Sequence, residues 1–568
     1  MNSTSSVSVA LAGSGGAGVM TAGNMLLEAA ALAGYYGLMT RTSGPQIRGG
    51  EAAAMVRVST FPTDGQDDRF QVLAAIDWQN VGRFAAELPL GPSSLIVGDP
   101  AQGEPPEVFL RSGARYAPVP LKKLAAESVP GAWPNMVALG VLAGLLGLPF
   151  GAVEAAARKA MKKGVEAGIV AAKVGFAQGA ALEGFPLREV PAGKARWLIT
   201  GNEAAGYGAL RGGVRFVAAY PITPATELLE WLAPALTKLG GTLVQAEDEL
   251  ASINMALGAS YGGVPALTAT SGPGLALMIE SLGLGVAAEV PVVVVDVMRT
   301  GPSTGIATKS EQADLNLALY GLHGDAPHVV VAPNSLADCV AATEWAVGLA
   351  ESLQVPAIVL SDQYFGQARA VVDVPQKENF SFRRMTAGGK GEAAYKRYSL
   401  TESGVSPMAV PGTPGTAYTA DGLEHNEKGT PSSQAGDHLA QMDKRARKVS
   451  RLDPGDAWAS IEGEGETAVL TFGSCTGPVR EALARSGKGI KLVSLRLLSP
   501  AQPERLAKAL EGVKRVLVVE QNHSGQFLRY LRAEYPALRD LPGEVRSLRR
   551  PGPLPFRPEE ITQELVKP

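Results

Sequence analysis

The stretch "AAYPITPATELLEWLA", residues 218–233, decides the fold. A short apolar run passes through two prolines and straight into an amphipathic helix. Thr223 stands where a helix N-cap would, and Pro224 at the first helical position, a good helix start because the cap supplies an oxygen and proline gives up no needed N–H. Thr223 and Thr226 also bring two hydroxyls to a strand-to-helix turn, and in α/β sheets such turns face the ligand crevice. The turn is either a cap alone or a substrate contact as well.

Working outward, "FVAAY", "TLVQAE", "PALTAT", "VPVVVVDV", "HVVVAP" and "PAIVLSD" read as strands, with helices such as "LASINMALGASYGG" between them. Continuous Val/Ile/Ala strands alternating with helices predict a parallel sheet covered on both faces. This unit spans residues 196–375. Residues 1–190 read as another α/β unit, with strands "SVSVALAG", "AAAMVRVS" and "SLIVGD" and the helix "GVMTAGNMLLEAAALAG". Residues 456–568 read as a third, with strands "TAVLTFGS", "IKLVSLRLLSP" and "VKRVLVVEQN". Residues 376–455 are poor in large aliphatics and rich in Gly, Pro, Ser and charge. They read either as a linker or, because so long a linker is unusual, as an ordered arm wrapping a partner.

The chain has 568 residues, 46% hydrophobic and 19% charged, with a formal net charge of −3. That charge gives no electrostatic case for nucleic acid or an anionic membrane. Two distant cysteines, Cys339 and Cys475, can neither staple a secreted scaffold nor ligate an iron–sulfur cluster. The chain therefore reads as cytoplasmic, with no cluster of its own. The polar start "MNSTSSVSVA" is not a signal peptide. The charge-free stretch at 136–153 is interrupted by Pro149 and four glycines. It reads as a buried core helix, not a membrane span.

Four motifs carry the chemistry. "AGSGGAGVMTAG" places Gly13, Gly15, Gly16 and Gly18 between a strand and a helix, where backbone N–H groups can meet a phosphate. A nicotinamide site would want an acidic residue at the end of the next strand. "YYGLMTRTSGPQIRGG" has none and offers Arg41 and Arg48 instead, so a phosphate-rich ligand or a structural turn is left. "QAEDELASINMALGAS" opens a helix with Glu247, Asp248 and Glu249. Leu250, Ile253 and Leu257 mark its expected buried face. Glu249 beside that face is either a cap residue or a hydrogen-bonding acid with a raised pKa. "TSGPGLALM" is a second glycine-rich strand-to-helix turn, with Ser271 and Gly272. "VVVVDVMRTGPSTGIATKSEQADL" ends a buried strand at Arg299, which can clamp a carboxylate, and continues through a loop to Thr308 and Lys309.

Together and in this order, the segments from "GNEAAGYGAL" to "GPSTGIATKSEQADL" resemble the α subunit of 2-oxoacid:ferredoxin oxidoreductases. "GSGGAGVMTAG…RGGEA" resembles the γ domain of that family, here fused in front. "YTADGLEHNEKGTPSS" and "VVEQNHSGQ" are similar to the tail of its 2-oxoglutarate-type members. The resemblance implies an α/β multidomain chain. It has a thiamine-diphosphate-binding, pyrimidine-type domain on a parallel sheet, a γ-like domain and a transketolase C-terminal-like domain. It implies thiamine diphosphate as cofactor and coenzyme A as co-substrate. Mg2+ and a 4Fe-4S cluster would sit on a β subunit, in an (αβ)2 heterotetramer that reduces ferredoxin. This chain lacks the G-D-G…N diphosphate motif, so it implies activity only with that subunit.

By the same resemblance, Glu249 matches the glutamate that hydrogen-bonds the cofactor's pyrimidine nitrogen, and Tyr220, Pro221, Ser271 and Gly272 fall in cofactor-contacting segments. Thr223 matches the threonine that reaches the substrate's carboxylate or keto oxygen, and Arg299 the arginine that pairs with the substrate. Thr308 and Lys309 would shape the far end of the pocket, where a distal carboxylate needs a cation. Ala307 stands where the 2-oxoglutarate branch carries proline. The glycines at 13–18, with Arg41 and Arg48, would face coenzyme A. The rival readings are the same chemistry on pyruvate or a branched-chain acid, a non-catalytic scaffold for a β partner, a nicotinamide enzyme, and a transketolase-like enzyme without electron transfer.

Overall fold

In the computed structural model the described residues are 3–44, 50–191, 195–376, 380, 382–388, 395–487, 489–541 and 543–567. The chain divides into two compact units: residues 1–200 with 367–375 and 556–563, and residues 201–366 with 376–555 and 564–568.

The first unit is built on β1 (Ser6–Gly13), β2 (Tyr36–Ser43), β3 (Ala52–Ser59), β4 (Val72–Ala75), β5 (Leu95–Gly98), β6 (Arg115–Pro118) and β7 (Arg196–Thr200). With the strand Arg369–Asp373 they form an eight-stranded sheet, ordered β6-β5-β4-β1-β3-β2, then Arg369–Asp373, then β7. β1, β4, β5 and β6 run parallel, whereas β3, β2 and the last two strands pair antiparallel. The last two strands fall inside the 196–375 segment that the sequence assigns to the second unit. They are held here by side chains at the strand ends. The Arg196 guanidinium stacks 3.6 Å from the Tyr36 ring centre, and the Tyr36 hydroxyl donates to Asp373 at 2.9 Å.

The apolar stretch expected as a core helix is one: Pro134–Leu146, almost wholly buried. Its glycines serve close approach to the helix Val165–Ala181. A side chain begun at Gly140 would lie 1.9 Å from the Ala172 carbonyl oxygen, and one begun at Gly175 would lie 2.0 Å from that of Val137. Small residues on both faces let the two backbones touch. Among the described residues no helix is long and apolar enough to cross a membrane.

The second unit holds β8 (Phe216–Ala219), β9 (Thr242–Gln245), β10 (Ala266–Thr270), β11 (Val292–Met298), β12 (Val329–Val331) and β13 (Pro356–Asp362). They form one parallel sheet, ordered β12-β13-β11-β10-β8-β9, as the continuous apolar strands require. The strand Leu497–Ser499 adds to β12 antiparallel. It belongs to the run "IKLVSLRLLSP", which reads as one strand but divides at Arg496. There the guanidinium turns to Asp338 at 2.8 Å, and the Arg496 carbonyl accepts from Ala332 N at 2.7 Å. The preceding part, Ile490–Leu495, stays in a five-stranded sheet with Ala459–Glu462, Thr467–Phe472, Arg515–Glu520 and Glu544–Arg549.

Much of the 376–455 segment is fixed against this unit. Its helix Ala435–Ser450 sends Lys444 and Lys448, both fully buried, to the two oxygens of fully buried Glu289, at 2.5 and 3.0 Å. Arg397 donates to the Glu289 carbonyl at 2.8 Å. Burial alone would raise the Glu289 carboxyl, but Lys448, Lys444 and Arg397 hold it down at about 2.

Candidate active site

β9, β8, β10 and β11 are neighbours and all parallel, so the segments leaving their carboxyl ends emerge on one edge. Those segments carry Glu249, Tyr220 to Thr223, Ser271 with Gly272, and Arg299. The topology alone therefore gathers most residues that the sequence singles out in this unit.

The helix after β8 corrects the opening expectation. It runs Thr226–Lys238, and its cap position is Ala225, with no side-chain cap hydrogen bond. The Ile222 carbonyl accepts from Ala225 N at 2.8 Å and Thr226 N at 3.1 Å, so the first donors are met by backbone and the Thr223 hydroxyl is not used as a cap. Thr223 instead offers its carbonyl to the Arg299 guanidinium at 2.6 Å. Two residues named separately for the substrate thus meet. Tyr220 beside them is 41% exposed and Pro221 is half-buried.

Glu249 opens the helix Glu249–Tyr261, but it does not cap it. Asp248 does so, its carboxylate accepting from Ala251 N at 2.7 Å. The capping explanation therefore belongs to Asp248 and leaves the 7% exposure of Glu249 to be explained otherwise. The expected buried face is also corrected. Leu250 is 48% exposed, and the buried stripe is Glu249, Ser252, Ile253, Ala256, Leu257 and Ser260. That is the spacing of one helix face, and Glu249 is its first member.

What Glu249 touches is the turn 270–274. A side chain begun at Gly274 would lie 2.0 Å from Thr270 Oγ1 and 2.7 Å from Glu249 Oε1. Gly274 thus clears the space that the carboxylate occupies. The helix Gly272–Ala287 starts here, with Ser271 at its cap position. The Ser271 hydroxyl is fully buried and has no hydrogen-bond partner, and neither has that of Thr268 on β10. An unmet buried hydroxyl is costly unless something else meets it. Here an acid, an unmet hydroxyl and the start of a helix lie together at the carboxyl edge of the sheet. These residues suit a heteroaromatic ring with nitrogen and amino groups to pair.

Two acids were missed in the sequence. Asp296 lies on β11, fully buried, with neither carboxylate oxygen hydrogen-bonded. Asp314 follows the Lys309 loop. Its oxygens lie 2.5 and 2.6 Å from where a Gly272 side chain would begin. Burial and the neighbouring Glu311 push Asp314 up to about 6 against the pull of Arg299. Burial and Asp314 push Asp296 well above the usual carboxylate range. Burial lowers the Arg299 guanidinium, and the charge of Asp314 opposes that. The signal for Asp296 was present: a carboxylate inside the apolar run "VVVVDVM" has no place in a core strand without a reason.

The loop beyond Arg299 is pinned at its neck, Thr300 N donating to the Lys309 carbonyl at 2.9 Å and Lys309 N to Ile306 O at 3.0 Å. Residues 301–306 are exposed, and Thr308 and Lys309 are half-buried. Gln312 ties the following residues to the five-stranded sheet. It donates to the Phe472 carbonyl at 2.9 Å and accepts from Gln521 N at 3.0 Å.

The glycine loop of the first unit behaves differently. Ser14 N lies 3.0 Å from both oxygens of Asp77, and the Ser14 hydroxyl donates to Asp77 at 2.7 Å. The chain's own carboxylate thus holds donors that a phosphate would use. Gly13 lies against Val19 and Asp77, and Gly18 packs on Asn135, whose side-chain nitrogen would sit 2.3 Å from a side chain there. Gly15 and Gly16 are exposed, Arg41 is an exposed residue of β2, and Arg48 lies outside the described residues.

Known families match along the same divisions. Residues 207–445 match the family described as "Pyruvate flavodoxin/ferredoxin oxidoreductase, thiamine diP-bdg" and residues 8–178 the one described as "Pyruvate ferredoxin/flavodoxin oxidoreductase". The 2-oxoacid:ferredoxin oxidoreductase subunit alpha of a Sulfolobus species is 30% identical over 91% of this chain and 90% of its own length. The 2-oxoglutarate oxidoreductase subunit KorA of Mycobacterium tuberculosis is 36% identical over 71% of this chain and 64% of its own. Among solved structures, a 2-oxoglutarate:ferredoxin oxidoreductase from Magnetococcus marinus, with 2-oxoglutarate, coenzyme A and succinyl-CoA bound, is 36% identical. It superposes with a TM-score of 0.90 over 99% of both chains. The second unit therefore contains a thiamine-diphosphate-binding domain, and the chain belongs to the α subunits of the 2-oxoacid:ferredoxin oxidoreductase family.

Proposed function

We propose that this chain is the α subunit of a 2-oxoglutarate:ferredoxin oxidoreductase. The reaction is 2-oxoglutarate, coenzyme A and oxidised ferredoxin to succinyl-CoA, CO2 and reduced ferredoxin, two electrons leaving in all. The observation that carries this reading is Glu249, buried against the 270–274 turn while Asp248 caps its helix. The 2-oxoglutarate names and ligands of the M. tuberculosis and M. marinus relatives support the choice of acid.

Thiamine diphosphate, when bound, supplies the nucleophilic ring carbon and the electron sink that decarboxylation needs. Glu249 would hold the pyrimidine nitrogen by a hydrogen bond and so fix its tautomer. Ser271, with Gly272 and Gly274, would line the ring, Tyr220 and Pro221 its edge. Arg299 and Thr223 would orient the 2-oxo carboxylate, and Thr308 and Lys309 would meet the distal one. Mg2+, the 4Fe-4S cluster and the docking of ferredoxin are assigned to a β subunit in an (αβ)2 assembly. Coenzyme A is assigned as co-substrate, facing the glycine loop at 13–18 together with Arg41 and Arg48, with Gly15 and Gly16 exposed there. The Asp77 tether takes up the Ser14 donors of that loop.

The test is anaerobic viologen reduction by the chain co-purified with its partner subunit, with coenzyme A present. Strong preference for 2-oxoglutarate over pyruvate is expected. Preference for pyruvate would overturn the substrate and keep the chemistry.

A further inference from the structure

The pair Asp296 and Asp314 has no part in the reading above, yet it adjoins both halves of the site. Asp314 lies against Gly272 of the cofactor-facing turn, its Oδ2 is buried without a hydrogen-bond partner, and its charge acts on Arg299. The Arg299 guanidinium is itself mostly buried, with NH1 on the Thr223 carbonyl and Nε unbonded. A buried guanidinium is least costly when one full negative charge balances it. If Asp314 supplies it, an arriving carboxylate makes the buried cluster net negative, which is unfavourable at low dielectric. If Asp314 carries a proton, the arriving carboxylate neutralises Arg299.

We propose that Asp314 is a positioning residue for the substrate carboxylate: it takes up a proton from solvent as that carboxylate seats on Arg299, exchanging its own charge for the substrate's. The inference rests on the reading that Arg299 receives the 2-oxo carboxylate. The charged groups acting on Asp314 are Glu311 and Arg299, and Asp296 is its acid neighbour on β11. His523 faces Glu311 from the loop after Arg515–Glu520, and Gly552 backbone bonds Glu311 from the other side. Asp314 holds its proton to about pH 6 in the free protein. Carboxylate binding should then be independent of pH below about 6 and weaken up to about tenfold per pH unit above it, as linkage to one proton requires.

The experiment is calorimetric titration of the co-purified complex, loaded with a thiamine diphosphate analogue that cannot react, with 2-oxoglutarate and separately with pyruvate. Two buffers of different ionisation enthalpy report proton uptake. The wild-type complex should take up close to one proton per carboxylate at pH 7.5. Asp314→Asn, which mimics the protonated acid, should bind with no uptake and hold its low-pH affinity at pH 8, a gain that a folding defect cannot imitate. Glu311→Gln, by removing the charge that pushes Asp314 up, should move the onset of pH dependence to lower pH. Unchanged uptake in Asp314→Asn, or no uptake in the wild type with either acid, overturns the inference. Coupling seen with pyruvate and no binding of 2-oxoglutarate would overturn the substrate reading and leave the inference standing.

Discussion

The turns at 13–18 and 270–274 are written in the same alphabet: a buried strand, glycines, a helix. In the first, Asp77 accepts from the Ser14 amide and hydroxyl, so the chain answers its own donors. In the second, the Ser271 hydroxyl and an Asp314 oxygen are buried and unanswered, and Glu249 is pressed into the space that Gly274 leaves. Glycine in a strand-to-helix turn therefore says only that something approaches closely. Whether the neighbour is the protein itself or a ligand is decided by which polar groups the fold leaves unmet.

Among substitutions of the two glycine turns and their partners, the largest effect should come from Gly274→Ala. Its methyl would fall on Thr270 Oγ1 and the Glu249 carboxylate, displacing the acid by a good part of an ångström. Turnover by the co-purified complex should drop by about a hundredfold, with weaker thiamine diphosphate binding, since misplacement on that scale has that cost. Retention of full cofactor affinity would break the distinction between the turns.

Next comes Asp77→Ala, which strands the Ser14 donors. It should cost about 1–3 kcal/mol of stability, read as a lower denaturation midpoint, and leave thiamine diphosphate affinity alone. A change in cofactor affinity would show that the first turn is not self-contained.

Stability against pH sharpens the same contrast between met and unmet acids. Glu289, held at about 2 by Lys448 and Lys444, contributes stability that is present above its ordinary 4.5 and lost as pH falls towards 2. Asp314, raised from 3.8 to about 6, has the opposite sign: its contribution is present below 3.8 and declines as pH rises through 6. Unfolding midpoints measured from pH 3 to 8 should therefore show Asp314→Asn gaining on the wild type between pH 4 and 6. Curves that run parallel there would contradict the unmet state of Asp314.

The smallest effect is expected from Gly16→Ala. No atom lies within 4 Å of the added methyl, but the backbone φ of +89° disfavours a side chain, by about 1 kcal/mol. A slightly lower midpoint with unchanged cofactor affinity is the expected result, and a large change in affinity would again move ligand binding to the first turn.

Much of this was legible in the residues. β11 and β13 carry the unbroken apolar runs "VVVV" and "AIVL", so their burial on both faces and their parallel pairing follow from composition. Glu249 was legible as a candidate beside an apolar helical stripe, but the residues alone left a cap open, and the resemblance supplied its role. The strands Arg196–Thr200 and Arg369–Asp373 were recognisable as strands but not as members of the first sheet. That membership comes from backbone pairing of Arg369–Asp373 with β2, joined by contacts of Arg196, Tyr36 and Asp373, which are far apart in sequence. The cap at Thr223 was misread because Ile222 supplies a backbone acceptor that sequence patterns do not reveal. Asp314 sits in the unremarkable run "EQADL", and only the fold brings it against Gly272.

The most direct measurement is the turnover of Glu249→Gln in the co-purified complex, followed by viologen reduction with 2-oxoglutarate and coenzyme A, with thiamine diphosphate binding measured on the same sample. Glutamine fills the same volume but cannot hold the ring tautomer as the acid does. A loss of about a hundredfold or more, with the cofactor still bound, is predicted. Full turnover would contradict the account and leave this chain as a scaffold for its partner.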